Sequence, residues 1–239
     1  MKHLDLTFPT PQQNLACDET LLEACEVGQG DEVLRTWESV THFAVLGYAN
    51  KAACEVNLQK SEELGIPVLR RTSGGGAVVQ GPGCLSYSLI LKADSTGVTV
   101  TETNKLVMER LQSAFKTHFS LPVEIQGITD LVLNGRKFSG NAQRRLKNSV
   151  LFHGTILLSF DIDIVSQVLT YPSWAPDYRQ TRPHGDFITN LPAEVNRAKV
   201  ISALRQTWNA QETANPPPLA EIDALVAAKY SRAEWNLKF

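Results

Sequence analysis

The chain has 239 residues, 43% of them hydrophobic and 20% charged, with a formal net charge of −2. This is the composition of an ordinary folded domain; it lacks the basic excess of a nucleic-acid binder, and no apolar run approaches the ~20 residues that span a bilayer. Residues 1–10 carry no signal-peptide layout, so a cytoplasmic protein with neither nucleic acid nor membrane as partner is expected.

A helix is expected over 12–30, where Leu15, Ala16, Leu21, Leu22 and Cys25 recur at helical spacing and Gly28 and Gly30 end the run. Strands at 33–37 and 43–47 follow, then a helix over 50–64 that stops at Gly65 before Pro67. Residues 68–69 lead into a glycine-rich stretch, and 85–91 read as a strand. A helix over 101–119 has Thr101 or Thr103 as its cap and Leu106, Val107, Leu111 and Phe115 as its apolar stripe. Strands at 123–125 and 130–133 precede Asn134-Gly135, the strongest hairpin signal in the chain. A strand over 150–152 and 155–160 reads as broken near His153-Gly154, and 163–169 as a short helix. Residues 171–191 look like a long ordered loop, of the kind that often carries function. Helices at 195–209 and 219–230, joined through Pro216-Pro217-Pro218, complete an α+β domain rather than a doubly wound one. The four cysteines, Cys17, Cys25, Cys54 and Cys84, form no C-x-x-C pair and argue against zinc. Cys17 and Cys25 read as buried reduced residues, and Cys84 lies inside the glycine-rich region.

Two stretches carry chemistry. In Arg70-Arg71-Thr72-Ser73-Gly74-Gly75-Gly76-Ala77-Val78-Val79, consecutive glycines let backbone amides approach an anion and form a nest, with arginines alongside to supply bidentate donors. The second runs from Asp130 through Asn134-Gly135-Arg136-Lys137-Phe138-Ser139-Gly140-Asn141-Ala142, with Phe152-His153-Gly154-Thr155 beyond. Lys137 alternates with Phe138, so one of the two faces inward; a lysine directed into a glycine-lined pocket holds a phosphate or carboxylate as a point charge. The small residues Ser139, Gly140 and Ala142 leave room for a ligand. His153 reads as a general base or a buried structural histidine, and Arg144, Arg145 and Lys147 as a patch for an acidic partner or a solvated turn.

Taken together these motifs resemble the lipoate–protein ligase A family, within the biotin/lipoate A/B ligase superfamily that also holds the octanoyltransferases. Asn14-Leu15-Ala16, Leu34-Arg35, Thr189-Asn190-Leu191 and Glu234-Trp235-Asn236 extend the resemblance along most of the chain. It implies a mixed, largely antiparallel sheet flanked by helices, as one catalytic domain over 1–239 with a helical part at 195–239 and no accessory C-terminal domain. It also implies that ATP, with Mg²⁺, and lipoate give lipoyl-AMP, from which the lipoyl group passes to a lysine of a carrier domain. Such carriers are the E2 of a 2-oxoacid dehydrogenase or the glycine cleavage H protein; a separate accessory protein is a further implied partner. Lys137 would be the catalytic cation. Arg70, Arg71, Ser73, Gly74, Gly75, Gly76, Ala77, Val78, Val79, Ser139, Gly140, Ala142, His153 and Thr155 would line the adenylate site, and Asp130 would supply a Mg²⁺ ligand. Leu69, Val78 and Phe138 are the expected walls of the acyl slot, and Arg179, Arg182 and His184 a carrier-recognition loop.

The chain departs from the family in two places. Ile128-Thr129 stand where many ligases have Arg-Asn, and Gln80-Gly81-Pro82-Gly83 resembles the octanoyltransferase loop. The rival reading is thus a lipoyl or octanoyl transferase working through a cysteine thioester, which needs a thiolate near the lysine. No cysteine follows Cys84 and none lies in 121–129. A non-catalytic lipoyl-binding homologue is the third reading.

Overall fold

The computed structural model describes residues 1–97 and 99–239. Its elements run, in chain order, β1 (Lys2–Asp5), α1 (Pro11–Glu26), β2 (Val33–Trp37), β3 (Phe43–Leu46), α2 (Ala52–Glu55), α3 (Leu58–Glu63), β4 (Val68–Arg70), β5 (Val78–Gln80), β6 (Cys84–Lys92) and α4 (Val100–Phe119). They continue with β7 (Glu124–Gln126), β8 (Asp130–Leu133), β9 (Arg136–Arg145), β10 (Ser149–Leu157), α5 (Asp163–Val168), α6 (His184–Phe187), α7 (Arg197–Thr207), β11 (Glu212–Thr213), α8 (Leu219–Leu225) and α9 (Ala233–Asn236). An eight-stranded sheet has the order β11-β1-β2-β6-β10-β9-β8-β7, parallel only where β1 meets β11 and β2; a second sheet has the order β4-β3-β5. This is the α+β, largely antiparallel architecture expected.

Period-two alternation assigns the two faces of the large sheet. Leu34, Tyr87, Leu89, Phe138 and Phe152 pack into one core with α4 and α7. Val33, Trp37, Ile90 and Leu151 pack on the opposite side with α1. The small sheet packs with α5 in a third cluster through Ala44, Val79 and Val165.

Several boundaries differ from expectation for identifiable reasons. The helix expected over 50–64 is two helices, because Val56 is extended and bridges Leu169 while Asn57 caps the second. α4 starts earlier, with Thr99 rather than Thr101 or Thr103 as cap, in a reciprocal capping box with Glu102. β10 runs unbroken through His153-Gly154 because it is paired on both sides, with β6 and β9. Gly154 is not a break; it lies between Tyr87 and Asn141, whose hydroxyl and amide oxygen meet at 2.5 Å across it. A Cβ there would stand 1.7 Å from Asn141 Oδ1. The short β1 and β11 lie at one edge of the sheet, where two to four residues carry little pattern.

Gly154→Ala is accordingly expected to destabilise the fold by about 2–4 kcal/mol, the range of severe core overpacking. Chemical denaturation checks this: an unchanged midpoint would show that the Tyr87–Asn141 contact moves aside freely.

Candidate active site

The site lies on the α1 side of the large sheet, where the small sheet approaches it. Cross-strand register brings Asp130, Gly140, Thr155 and Ser86 into one row on that face, with Ala142, His153, Ser88 and Arg35 in the next. By simple alternation Lys137 would share the opposite face with Ser139. A β-bulge prevents this: Leu131 pairs with Ser139, Val132 pairs with Lys137, and Phe138 is the extra residue. The bulge turns Lys137 onto the Asp130 face and leaves Phe138 in the core against Phe115, ring centroids 5.1 Å apart. Lys137 then crosses Gly140, where a Cβ would stand 2.6 Å from its Nζ, and reaches Asp130 Oδ1 at 2.7 Å.

Arg71 organises the glycine loop. Its guanidinium donates to the carbonyls of Gly74 (2.6 Å) and Gly76 (2.8 Å) and to Ser73 Oγ (3.0 Å). With every peptide trans, these carbonyls direct the following amides, of Gly75 and Ala77, away from the guanidinium. No described residue accepts a bond from either amide. Gly75 takes φ +87° and its carbonyl abuts Gly47, while Gly74 and Gly76 have open space where a Cβ would be. Carbonyls turned in and amides turned out make an anion nest. Burial lowers the Arg71 pKa to about 10, so it stays charged at neutral pH, and it forms no ion pair with a described carboxylate.

His153 Nε2 lies 2.5 Å from Ser73 Oγ. Burial, then the Arg71 charge, push its pKa down to about 4. It is therefore a neutral ring that helps fix the loop.

Two cavities meet here, of about 360 and 110 Å³. Gly74, Gly75, Gly76, Ala142 and His153 line the larger; Val79 and Ser139 line the smaller; Ala77, Val78, Lys137, Gly140 and Thr155 line both. The larger extends under α1 to Leu15, Asp18, Trp37 and Val45, none of which was singled out from sequence as a contact. The smaller is mainly apolar, with Phe138, Leu157, Phe160 and Ile188 among its walls.

Other expectations need correction. Arg70 lines neither cavity; it is fully buried and donates to the carbonyls of Gly47, Tyr48, Asn50 and Trp235. Leu69 is core, packed on the α1 side, and walls no cavity. Ser139 is not among these: it lines the smaller cavity, and its hydroxyl accepts from Asn141 Nδ2. Asp130 does not fit a Mg²⁺ ligand: Lys137 holds one carboxylate oxygen and the Tyr178 hydroxyl donates to the other at 2.7 Å. Among the described residues no group of three or more His, Cys, Asp or Glu could hold a metal. Tyr178 had no sequence signal. Arg144 and Arg145 form no free patch; they bind Glu19, Thr103 and the carbonyls of Ala93 and Gly97. Arg179 is only 4% exposed and offers no surface to a carrier. Cys84 is buried beside Thr155, its thiol pushed up to about 12 by desolvation.

A model of the lipoyl protein ligase A/B catalytic domain matches residues 10–210. Octanoyltransferase LipM of Brevibacillus brevis is 27% identical, over 96% of this chain and 95% of its own. Lipoate-protein ligase LplJ of Bacillus subtilis is 36% identical, over 80% of this chain and 60% of its own. Among solved structures, the bi-partite lipoate protein ligase of Thermoplasma acidophilum superposes with a TM-score of 0.84 at 24% identity, over 99% of this chain and 95% of that one; at that identity the likeness concerns the fold.

His153 and His184, the latter also near 4 through burial and then Arg179, take up protons less readily folded than unfolded. Their neutral forms therefore withdraw stability as pH falls from about 6.5 toward about 4. Denaturation midpoints should decline through that window and hold above it, and His153→Gln should flatten the decline. Identical slopes in both proteins would contradict the assignment.

Proposed function

Because the chain belongs to the lipoyl protein ligase A/B catalytic domain family, we propose that it activates lipoate with ATP and transfers the lipoyl group to a lysine of a carrier domain. The observation that carries this reading is the meeting of two cavities at one lysine, with no thiol lining either. Condensing two substrates needs two chambers that join at a cation. An acyl shuttle through the protein needs one chamber and a nucleophile. Cys17, Cys25 and Cys84 are buried, Cys54 is exposed, and none of the four lines either cavity.

The acyl chain occupies the larger cavity, against Leu15, Trp37 and Val45, and the adenine base the smaller. The lipoate carboxylate attacks the α-phosphorus of ATP and pyrophosphate leaves. Lys137 exchanges Asp130 for the reacting oxyanions, while the amides of Gly75 and Ala77 and the Arg71 charge stabilise negative charge in a dry site. Both reactants are held in one frame, which removes the entropic cost of their encounter. The amine of a carrier lysine then attacks the acyl carbonyl carbon, the bond to AMP breaks, and the nitrogen gives up its proton. ATP would arrive as its Mg²⁺ complex. The acceptor is a lipoyl domain of the 2-oxoacid dehydrogenase E2 or glycine cleavage H protein kind.

The transferase reading has the LipM relatives on its side. On it, an octanoyl or lipoyl group passes between carriers without ATP.

Incubation with ATP, Mg²⁺, lipoate and a lipoyl carrier, with and without added accessory protein, separates the two. Pyrophosphate release matched by carrier mass gain is expected. Transfer from an acylated carrier without ATP would overturn the ligase reading, and no turnover would favour a binding homologue. Lys137→Ala should lower activation about 100-fold or more, the scale of removing one preoriented charge-stabilising group, with the melting temperature retained. Near-normal turnover would refute its role.

A further inference from the structure

The segment between α5 and α7 folds back over Lys137. Tyr178 donates to Asp130, Arg182 to the carbonyls of Gly135 and Tyr178, Arg136 to the carbonyl of Gly185, and the Thr189 amide to the Lys137 carbonyl. These ties fix Arg179 at the junction of the two cavities, both of which it lines. Its guanidinium carbon sits 4.8 Å from the ring centroids of both Tyr171 and Phe187. Nε donates to the Arg182 carbonyl, but Nη2 is buried with no hydrogen-bond partner among the described residues. No described carboxylate forms an ion pair with it.

A buried, unpaired cation works against folding unless an anion joins it. The aromatic rings lie against the guanidinium, and its unfilled donor capacity suits recognition of an oxyanion. We infer that Arg179 is a substrate-binding residue whose guanidinium grips an oxyanion, a phosphate or a carboxylate, where the two cavities join. The inference rests on the two-substrate reading above for the identity of that oxyanion: the nucleotide phosphate in one case, the acyl carboxylate in the other.

The test compares wild type, Arg179→Lys and Arg179→Met by calorimetric titration with ATP–Mg²⁺ and, separately, with lipoate, alongside thermal melting. Arg179→Met should weaken binding of one oxyanion about tenfold or more, as expected for charged hydrogen bonds. Arg179→Lys should keep part of that affinity. The melting temperature of Arg179→Met should hold or rise, because an apolar side chain replaces a buried unpaired charge beside two rings; a purely structural arginine would lower it. A loss confined to ATP assigns the phosphate, and a loss confined to lipoate assigns the carboxylate. A wild type that binds lipoate but no ATP sinks the ligase reading, and the lipoate titrations alone then decide Arg179. Unchanged affinity for every ligand the wild type binds overturns the inference, as does a wild type that binds neither oxyanion, or a lowered melting temperature with affinity intact.

Discussion

The site depends on one buried guanidinium with no carboxylate partner among the described residues. Arg71 sits under the glycine loop and draws the carbonyls of Gly74 and Gly76 toward itself, and that choice turns the intervening amides outward. A carboxylate in the same place would neutralise the charge and compete for its donors. Held by neutral acceptors, the arginine shapes the loop and also leaves its field available to an anion. The loop is braced a second time from below. Arg70 holds the backbone turn that follows β3, while its own amide and carbonyl are bonded to Asn236 and Trp235 near the C-terminal end. Two adjacent arginines thus act in opposite directions, one toward the loop and one toward the scaffold.

Facing the loop, Lys137 owes its position to an irregularity. A regular strand would have placed it with Ser139 and turned it toward the core. The bulge at Phe138 shifts the phase by one residue, so an aromatic ring enters the core and a cation enters the site from neighbouring positions. Asp130, its other oxygen held by the Tyr178 hydroxyl, then pairs with that cation. Lys137 is thus partly neutralised, whereas Arg71 and Arg179 have no described carboxylate partner.

Much of this was legible in the residues alone, for local reasons. Asn134 (φ 51°) and Gly135 (φ 75°) form the tight turn that their dipeptide signals. The glycine run marks a place where backbone borders open space, at Gly74 and Gly76, and helical periodicity located α1 and α4 to within a few residues. What escaped was set by distant partners. Arg70 reads as a ligand contact because the carbonyls that capture it lie 20 to 23 and 165 positions away. Gly154 reads as a strand break because isolated glycines often mark one; here its missing side chain makes room for a cross-strand contact. Arg179 reads as surface because arginine in a polar loop is normally solvated, and only the fold brings the Tyr171 and Phe187 rings to 4.8 Å from it. No residue type announces the bulge at Phe138.

The proposed mechanism requires that the acyl group never becomes bonded to the protein. Intact mass measurement under denaturing, non-reducing conditions, after incubation with ATP, Mg²⁺ and lipoate or with an octanoylated carrier, examines this directly. An adenylate mechanism predicts a protein of unchanged mass in both incubations, with acyl-AMP formed only in the one that holds ATP and lipoate. A stable mass increase equal to an acyl group on any of Cys17, Cys25, Cys54 or Cys84 would contradict it.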